Sequence, residues 1–369
     1  MIVLITLFYI FIGIVFIQLF YYGFLFSQFA ASKHHITTQK KHPVSVIICA
    51  KNEAKNLKQF LPFVLEQDYP NYEIILINDA SSDETLEVME SFKNLHNKIK
   101  IVDVENNEAF WGNKKYALTL GIKSASNNIL LFTDADCKPI SKHWISEMAN
   151  NFINSKSIVL GYGAYKKSNS LLNKLIRFET LMTAVQYFSY AKIGIPYMGV
   201  GRNLAYYKNE FYKADGFISH MQVRSGDDDL FINQVSTVHN TNICFSRKSF
   251  TESLPKRSFK DWIIQKRRHV STSKYYKIKH KFLLGLFYSS QLFFWVLAII
   301  LLLFSFNWKV VLSLIILRFV IQFISVGFSA KKLNELDTIF LLPFLELFLI
   351  VTQLFIFSSN IISKPNHWK

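Results

Sequence analysis

The sequence predicts an α/β domain built on a mainly parallel sheet and flanked by transmembrane helices. Three observations carry this. Long uncharged apolar runs are confined to the two ends of the chain. Between them, short β-branched runs alternate with polar stretches of helical texture. Polar motifs recur directly after several of those short runs.

Residues Ile2 to Ala30 carry no charge and exceed the ~20 helical residues that cross a bilayer. A signal peptide would want a basic start and a shorter apolar stretch. Here no Lys or Arg precedes the run, and Lys33, Lys40 and Lys41 follow it. Positive residues mark the cytoplasmic side, so residues 1–31 read as an anchor with its N-terminus outside and the following domain inside. Three further stretches lie near the other end: Phe282 to Phe306 without charge, Val310 to Ala330 with only Arg318, and Thr338 to Ser363 with only Glu346. They predict three transmembrane helices over 282–363, preceded by a basic juxtamembrane segment over 271–281. Four spans place the C-terminus outside; the alternative is that one stretch lies in the interface. Charges inside lipid are costly and ask for partners. At ~1.5 Å per residue, Arg318 and Glu346 lie at similar depth in antiparallel neighbours, so they are expected to pair, the alternative being that each snorkels or lines a cavity alone.

Half of the 369 residues are hydrophobic, Phe alone contributing 35. Lys plus Arg outnumber Asp plus Glu by 42 to 26, a net charge of +16 that points to anionic partners. Eight Lys/Arg against the single acid Asp261 fall between Phe259 and Lys281, beside an apolar run. That placement favours membrane lipids over nucleic acid, which is not an expected partner. Cys49, Cys137 and Cys244 are far apart and form no CxxC pair, which suits a reduced compartment and argues against a disulfide framework or a thiolate zinc site. The histidines show no ligand spacing, and His34-His35 reads as a hydrated linker.

Over residues 42–270, Val44 to Ala50, Glu73 to Asn78, Ile101 to Val104 and Asn128 to Phe132 read as buried strands. Lys55–Gln67, Ser82–Leu95 and Lys114–Ser124 read as helices, the second with a Ser81/Glu84 capping box. Leu171 to Tyr190 is apolar at helical spacing with Asn173, Lys174, Arg177 and Glu179 interspersed, and reads as an amphipathic helix near the bilayer or the acceptor site. Ligands of parallel sheets sit at the carboxyl ends of strands. Those ends carry Lys51-Asn52-Glu53, Asp79 to Asp83, and Asp134-Ala135-Asp136. No GxGxxG or GxxxxGK[ST] loop is present, so neither a dinucleotide fold nor a P-loop is indicated. Two Asp with one residue between them offer hard oxygen ligands to Mg²⁺ or Mn²⁺ and leave positions for phosphate oxygens. Asp79 and Asp83, taken singly, also fit turn and cap positions.

In order, Ser45-Val-Ile-Ile-Cys-Ala-Lys-Asn-Glu53, Ile77 to Thr85, Lys114 to Leu118, Thr133 to Asp136, Gly201 to Tyr206, Gly226 to Leu230 and Gln265 to Arg268 resemble glycosyltransferase family 2, the inverting enzymes of GT-A fold. The flanking helices resemble the membrane-integrated branch that includes hyaluronan, cellulose and poly-N-acetylglucosamine synthases. The resemblance implies a nucleotide-sugar-binding, Rossmann-like domain and the following roles. Ala50 and Glu53 border the nucleotide, Asp79 bonds the uracil or ribose, and Lys114 lies near the phosphates, its alternative being a solvated helix residue. Asp134 touches the donor and Asp136 holds the metal. The Gly226-Asp227-Asp228-Asp229 run matches a motif whose second acid is the catalytic base. That maps to Asp228, with Asp227 as the alternative and Asp229 as the helix cap. Gln265-Lys266-Arg267-Arg268 matches a QxxRW signature, in which Gln265 and Arg268 contact the donor. His269 stands where that signature has tryptophan, which weakens acceptor stacking and with it processive polymerisation; Trp262 is the nearby candidate substitute.

The implied function is a membrane-bound, metal-dependent glycosyltransferase with its catalytic domain in the cytoplasm, acting on a nucleotide-sugar and on a lipid-linked or glycan acceptor. A processive polysaccharide synthase is the rival within the class. A membrane adaptor that binds nucleotide-sugar without turnover is the rival outside it.

Overall fold

The computed structural model describes residues 1–33, 42–105, 114–223 and 225–363. His34-His35, Lys40 and Lys41, read above as linker and topology markers, lie outside the described residues.

Helix α1 (Ile2–Leu19) continues through a π-helical turn (Phe20–Leu25) into α2 (Ser27–Ala30). The α/β domain begins with β1 (Val44–Ala50), α3 (Ala54–Leu65), β2 (Tyr72–Asp79), α4 (Thr85–Leu95) and β3 (Ile99–Val104). It goes on with α5 (Lys114–Ser124), β4 (Ile129–Phe132), β5 (Cys137–Pro139), α6 (Trp144–Ala149), β6 (Ile158–Leu160) and β7 (Gly163–Tyr165). After the long α7 (Leu171–Lys192) come β8 (Leu204–Tyr207), α8 (Lys208–Lys213), α9 (Asp229–Val235), β9 (Thr241–Ile243), β10 (Thr251–Ser253) and α10 (Phe259–Val270). Three apolar helices follow: α11 (Ile278–Leu303), α12 (Trp308–Leu333) and α13 (Leu342–Ile362).

The main sheet runs β3-β2-β1-β4-β8-β6-β9, and a small sheet runs β5-β10-β7. Strands β1 to β4 are parallel, and β8 is antiparallel to both β4 and β6. The Val/Ile/Leu runs of β1, β2 and β4 are buried on both faces, as a sheet covered by helices on both sides requires. Parallel pairing brings the carboxyl ends of β1, β2 and β4 to one edge, which fixes where their polar residues gather.

The predicted strands and the helix at Lys114 form, though β3, at the sheet edge, is only partly buried rather than buried as expected; the Ser81/Glu84 capping box does not form. Glu84 occupies the cap position of α4 but its side chain makes no capping bond, accepting instead from Lys58 at 3.2 Å. Asp83 takes over: it accepts from the Thr85 amide at 3.1 Å and from the Ala54 amide at 3.3 Å, joining the first turns of α4 and α3. Ser81 instead accepts from the amide of Asn52.

Helix α7 departs from the amphipathic reading. It is buried along most of its length between the sheet and the apolar helices, because its charges find partners. Arg177 donates to Glu335 at 2.8 Å and to Asp337 at 2.7 Å, and Glu179 pairs with Lys266. The segment is a core helix joining the two halves of the molecule.

Among the described residues four helices could cross a membrane by length and apolarity: Ile2–Ala30, Ile278–Leu303, Trp308–Leu333 and Leu336–Ile362. Packing separates the last from the others. The distal apolar cluster consists of residues of α1, α11 and α12, among them Phe11, Phe294, Leu301 and Val311. Leu342, Leu345, Leu349 and Ile356 of α13 belong instead to the cluster that contains Trp262, Tyr162 and Phe250 of the α/β domain. Phe348 meets Phe259 of α10, and Arg267 of α10 donates to Asn360 Oδ1 at 3.0 Å and to the Ser359 and Ser363 carbonyls at 3.1 and 2.6 Å. A 21-residue helix is about 30 Å long, so one leading away from the α/β domain would end far from α10. Helix α13 instead returns its C-terminal end to α10, and it is as long and apolar as the other candidate spans. Arg267, read as a lipid contact, instead satisfies the last carbonyls of α13.

Arg318 and Glu346 meet as expected. Arg318 Nη1 donates to Glu346 Oε2 at 2.8 Å, and Nη2 reaches Oε1. Tyr22, Gln291 and Gln322 donate to Glu346 Oε1 at 3.0, 2.9 and 3.0 Å, and Gln18 accepts from Arg318 at 3.0 Å.

Candidate active site

The strand ends open on a cavity of about 630 Å³ that extends down between α10, α11 and α13. Its upper part is acidic. Asp79, the last residue of β2, is buried, and its Oδ2 has no hydrogen-bond partner among the described residues. Burial raises its carboxyl above the ordinary range, against Lys51 and Lys114. A buried orphan acceptor facing a cavity is costly unless a ligand donates to it.

Asp134 and Asp136 follow β4. Their carboxylates and the Cys137 thiol lie within 4.8 Å of one another. Burial, then Asp134 and Glu53, raise the Asp136 carboxyl. The Cys137 thiol is pushed up by burial and shares a hydrogen bond with Ser253 Oγ at 2.8 Å, which leaves the two carboxylates as the hard donors. This set fits a divalent cation: two carboxylates one residue apart, one of them strained by like charge.

Lys114, at the start of α5, is not a solvated helix residue. Its Nζ lies 3.2 Å from Asp134 Oδ1 and 3.0 Å from Asp227 Oδ2. Burial alone would lower its pKa, but Asp134 and Asp227 outweigh burial and hold it firmly protonated. The same pair keeps Asp227 ionised: burial raises its carboxyl, and Lys114 more than reverses that.

Asp228 behaves differently. Burial first, then Asp227 and Asp229, push its carboxyl up to about 7. Its Oδ2 accepts from the Gly201 amide at 2.6 Å and its Oδ1 from the Asp229 amide at 2.7 Å. Asp228, not Asp229, therefore occupies the cap of α9. Asp229 sits behind it, accepting from the hydroxyls of Thr272 at 2.5 Å and Tyr276 at 2.6 Å. The turn before this run needs glycine: Gly226 has φ +93°, and a Cβ there would lie 2.5 Å from Leu230.

Glu53, Gln265, Arg268 and His269 line the cavity. Ala50 is 1% exposed and packs in the core, while its neighbours Cys49 and Lys51 face the cavity. Trp262 is buried against Phe259 in the core and does not substitute for the missing tryptophan. Lys266, read as a lipid contact, pairs with Glu179 inside the cavity.

Two residues escaped the sequence reading. Arg202, inside the quoted Gly201-Arg-Asn run, stacks on Tyr165 with its guanidinium 4.3 Å from the ring centroid and donates to Gly163 O at 2.9 Å. With Lys114 it is a second cation facing the Asp134–Asp136 pair; a charge two residues before a short strand was the available signal. Lys115 is fully buried and donates to the carbonyls of His220, Val223 and Ser225 at 2.7, 2.9 and 2.9 Å. It ties down the loop that delivers Asp227 and Asp228, a long-range contact that no local pattern announces. Replacing Lys115 by Met should cut turnover roughly 10–100-fold through misplacement of that loop, with KM for the donor little changed and partial recovery in Lys115→Arg. Steady-state kinetics would check this.

The architecture is that of a GT-A-like nucleotide-binding domain: a mainly parallel sheet with carboxylates grouped at its strand ends. Residues 45–225 match the model of Glycosyl transferase family 2. A poly-beta-1,6-N-acetyl-D-glucosamine synthase of Staphylococcus epidermidis is 40% identical over 98 residues, 27% of this chain and 23% of that one. The probable glycosyltransferase YdaM of Bacillus subtilis is 28% identical over 192 residues, 48% of this chain and 45% of that one. In both, the match spans less than half of the curated relative's length. The mannosyltransferase PcManGT of Pyrobaculum calidifontis, solved with GDP-Man and Mn²⁺, shares the fold with a TM-score of 0.59 at 16% identity, covering 90% of this chain and 97% of that one. The α/β domain belongs to glycosyltransferase family 2.

Proposed function

We propose that the chain transfers a sugar from a nucleotide-sugar, a UDP-sugar by preference, to a lipid-linked or glycan acceptor at the cytoplasmic face of a membrane, with inversion at the anomeric carbon. The observation that carries this reading is the meeting of Asp79, Asp134, Asp136 and Asp228 on one cavity, with the Asp228 carboxyl pushed up to about 7. In this reading residues 42–270 are the catalytic domain, 1–31 an anchor, and 271–281 with 282–363 the membrane-facing part.

Asp79, Glu53 and the end of β1 hold the nucleotide. Asp136, with Asp134, would hold Mg²⁺ or Mn²⁺, which when bound neutralises the leaving diphosphate. Lys114, Gln265 and Arg268 bind the donor and add fixed positive charge where phosphate charge develops. Asp228 accepts the proton of an acceptor hydroxyl whose oxygen attacks the anomeric carbon. A carboxylate with its pKa near 7 suits that work, because Asp227 and Asp229 on either side make its protonation favourable.

A second reading, processive polymer synthesis, draws on the name of the Staphylococcus epidermidis relative and on the cavity's continuation among the apolar helices. His269 in the place of a stacking tryptophan weighs against it. A non-catalytic nucleotide-sugar adaptor would have no use for Asp228.

The test is a screen of nucleotide-sugars for release of nucleoside diphosphate by the purified protein with Mg²⁺ or Mn²⁺. Asp136→Asn should lower release roughly 10²–10³-fold, the scale of losing one preorganised electrostatic contact. Undiminished release after chelation would overturn the metal assignment. No release with any donor would overturn the enzyme reading in favour of the adaptor.

A further inference from the structure

Below the acidic cluster the cavity changes character twice. It first passes Lys256, Lys274 and Lys281, which face it. Among the described residues none of these three is paired with a carboxylate, whereas Lys266 on the same wall is neutralised by Glu179. It then becomes a crevice with Leu284, Phe287 and Tyr288 of α11 on one side and Leu349, Ile350 and Phe357 of α13 on the other. Tyr288 ties the two walls, stacking edge-on to Phe357 at 5.3 Å and donating to Ile350 O at 3.3 Å. The crevice stops at Gln291, Gln322 and Glu346, whose hydrogen bonds are made within their own cluster.

Each part has a chemical demand. Three uncompensated cations around one cavity favour an anion. Lys281 is the last charge before the uncharged run Phe282 to Phe306, so the cations stand where a headgroup would lie and the crevice where hydrocarbon would lie. A glycan strand in the crevice would face walls that are mostly hydrocarbon and could satisfy few of its hydroxyls.

We infer that this lower cavity is the binding site of an anionic lipid, its phosphate or carboxylate resting against Lys274 and Lys281, which are neighbours, and its chain lying between α11 and α13. Resting on the transfer reading, the inference names the acceptor class: a lipid whose head carries an anion and, further out, a free hydroxyl. That hydroxyl oxygen forms the new bond to the anomeric carbon as the bond from that carbon to the donor phosphate breaks. Its proton passes to Asp228, and the nucleoside diphosphate leaves with the electron pair.

The test uses the full chain in phosphatidylcholine vesicles doped with photoactivatable phosphatidic acid or, separately, photoactivatable phosphatidylcholine of the same chain length. The anionic probe should label the segments around Leu284–Tyr288 and Leu349–Phe357 roughly tenfold more than the neutral probe. The excess should fall in K274E and, independently, in K281E, and persist in K309E at the far end of the α11–α12 hairpin. Equal labelling by the two probes, or charge-reversed proteins labelled like the parent, overturns the inference. Complete displacement of the probe by soluble glycerol phosphate would show a headgroup site without a chain site and also overturn it. Labelling needs no turnover, so a D228N protein that captures the lipid but transfers no sugar separates the two readings, as does a parent that transfers sugar but shows no preference for the anionic probe.

Discussion

Asp228→Asn should abolish sugar transfer, by roughly 10²–10⁴-fold, the usual worth of a positioned general base, while the protein still inserts and folds. Asparagine keeps an oxygen for the Asp229 amide that Asp228 now caps at 2.7 Å, so the start of α9 survives, while proton acceptance and the bond from the Gly201 amide are lost. The parent's pH profile should report the same group. With the carboxyl at about 7, the competent carboxylate is present above that pH and lost as pH falls through it. Turnover should therefore climb through neutrality to a plateau, and the residual rate of the Asn variant should lack that rise. Asp227 makes the contrasting prediction. It is held ionised by Lys114, so acting as base it would give a flat profile across neutrality. Full activity in Asp228→Asn together with loss in Asp227→Asn would move the base by one residue.

The sequence could place the strands because β1, β2 and β4 are short apolar runs buried on both faces and β3 is a β-branched run at the sheet edge, and it could place Asp79, Asp134 and Asp136 because each follows such a buried run. Contacts that depend on chain segments far apart were beyond it. Ser81 and Glu84 have cap spacing, yet Asp83 wins the cap because it reaches the Ala54 amide as well, about thirty residues away in the chain. Arg177 and Glu179 looked like the polar face of a surface helix because their partners, Glu335, Asp337 and Lys266, lie far away in sequence. Arg267 looked like a lipid contact because nothing local shows that α13 returns to α10. Each of these misreadings concerns a charge, and the resting place of a charge is decided by tertiary pairing rather than by periodicity.

The polar cluster within the apolar helices yields the largest expected effect on stability. Arg318 and Glu346 are almost fully buried, and Tyr22, Gln291 and Gln322 converge on the same Glu346 oxygen. Removing one partner strands the other in an apolar surrounding, at a cost of about 3–5 kcal/mol. Arg318→Met should accordingly destabilise the detergent-solubilised protein strongly, because Glu346 keeps its three amide and hydroxyl donors but loses the cation. Glu346→Gln should do the same, because Arg318 keeps neutral acceptors in Gln18, Gln322 and Tyr22 but loses the anion that balances its charge. The double variant leaves no unpaired charge, so its loss should fall well short of the sum of the single losses. Thermal unfolding of the four proteins measures that difference, and additive losses would mean that the two charges do not act as a pair. The cluster also joins α1, α11, α12 and α13 through residues 18, 291, 318 and 346, so the singles should release α13 from the bundle first. Protease sensitivity appearing near Ser359–Ser363, where Arg267 holds the last turn, before any at the sheet would show that the pair secures the wall of the cavity as well as the bundle.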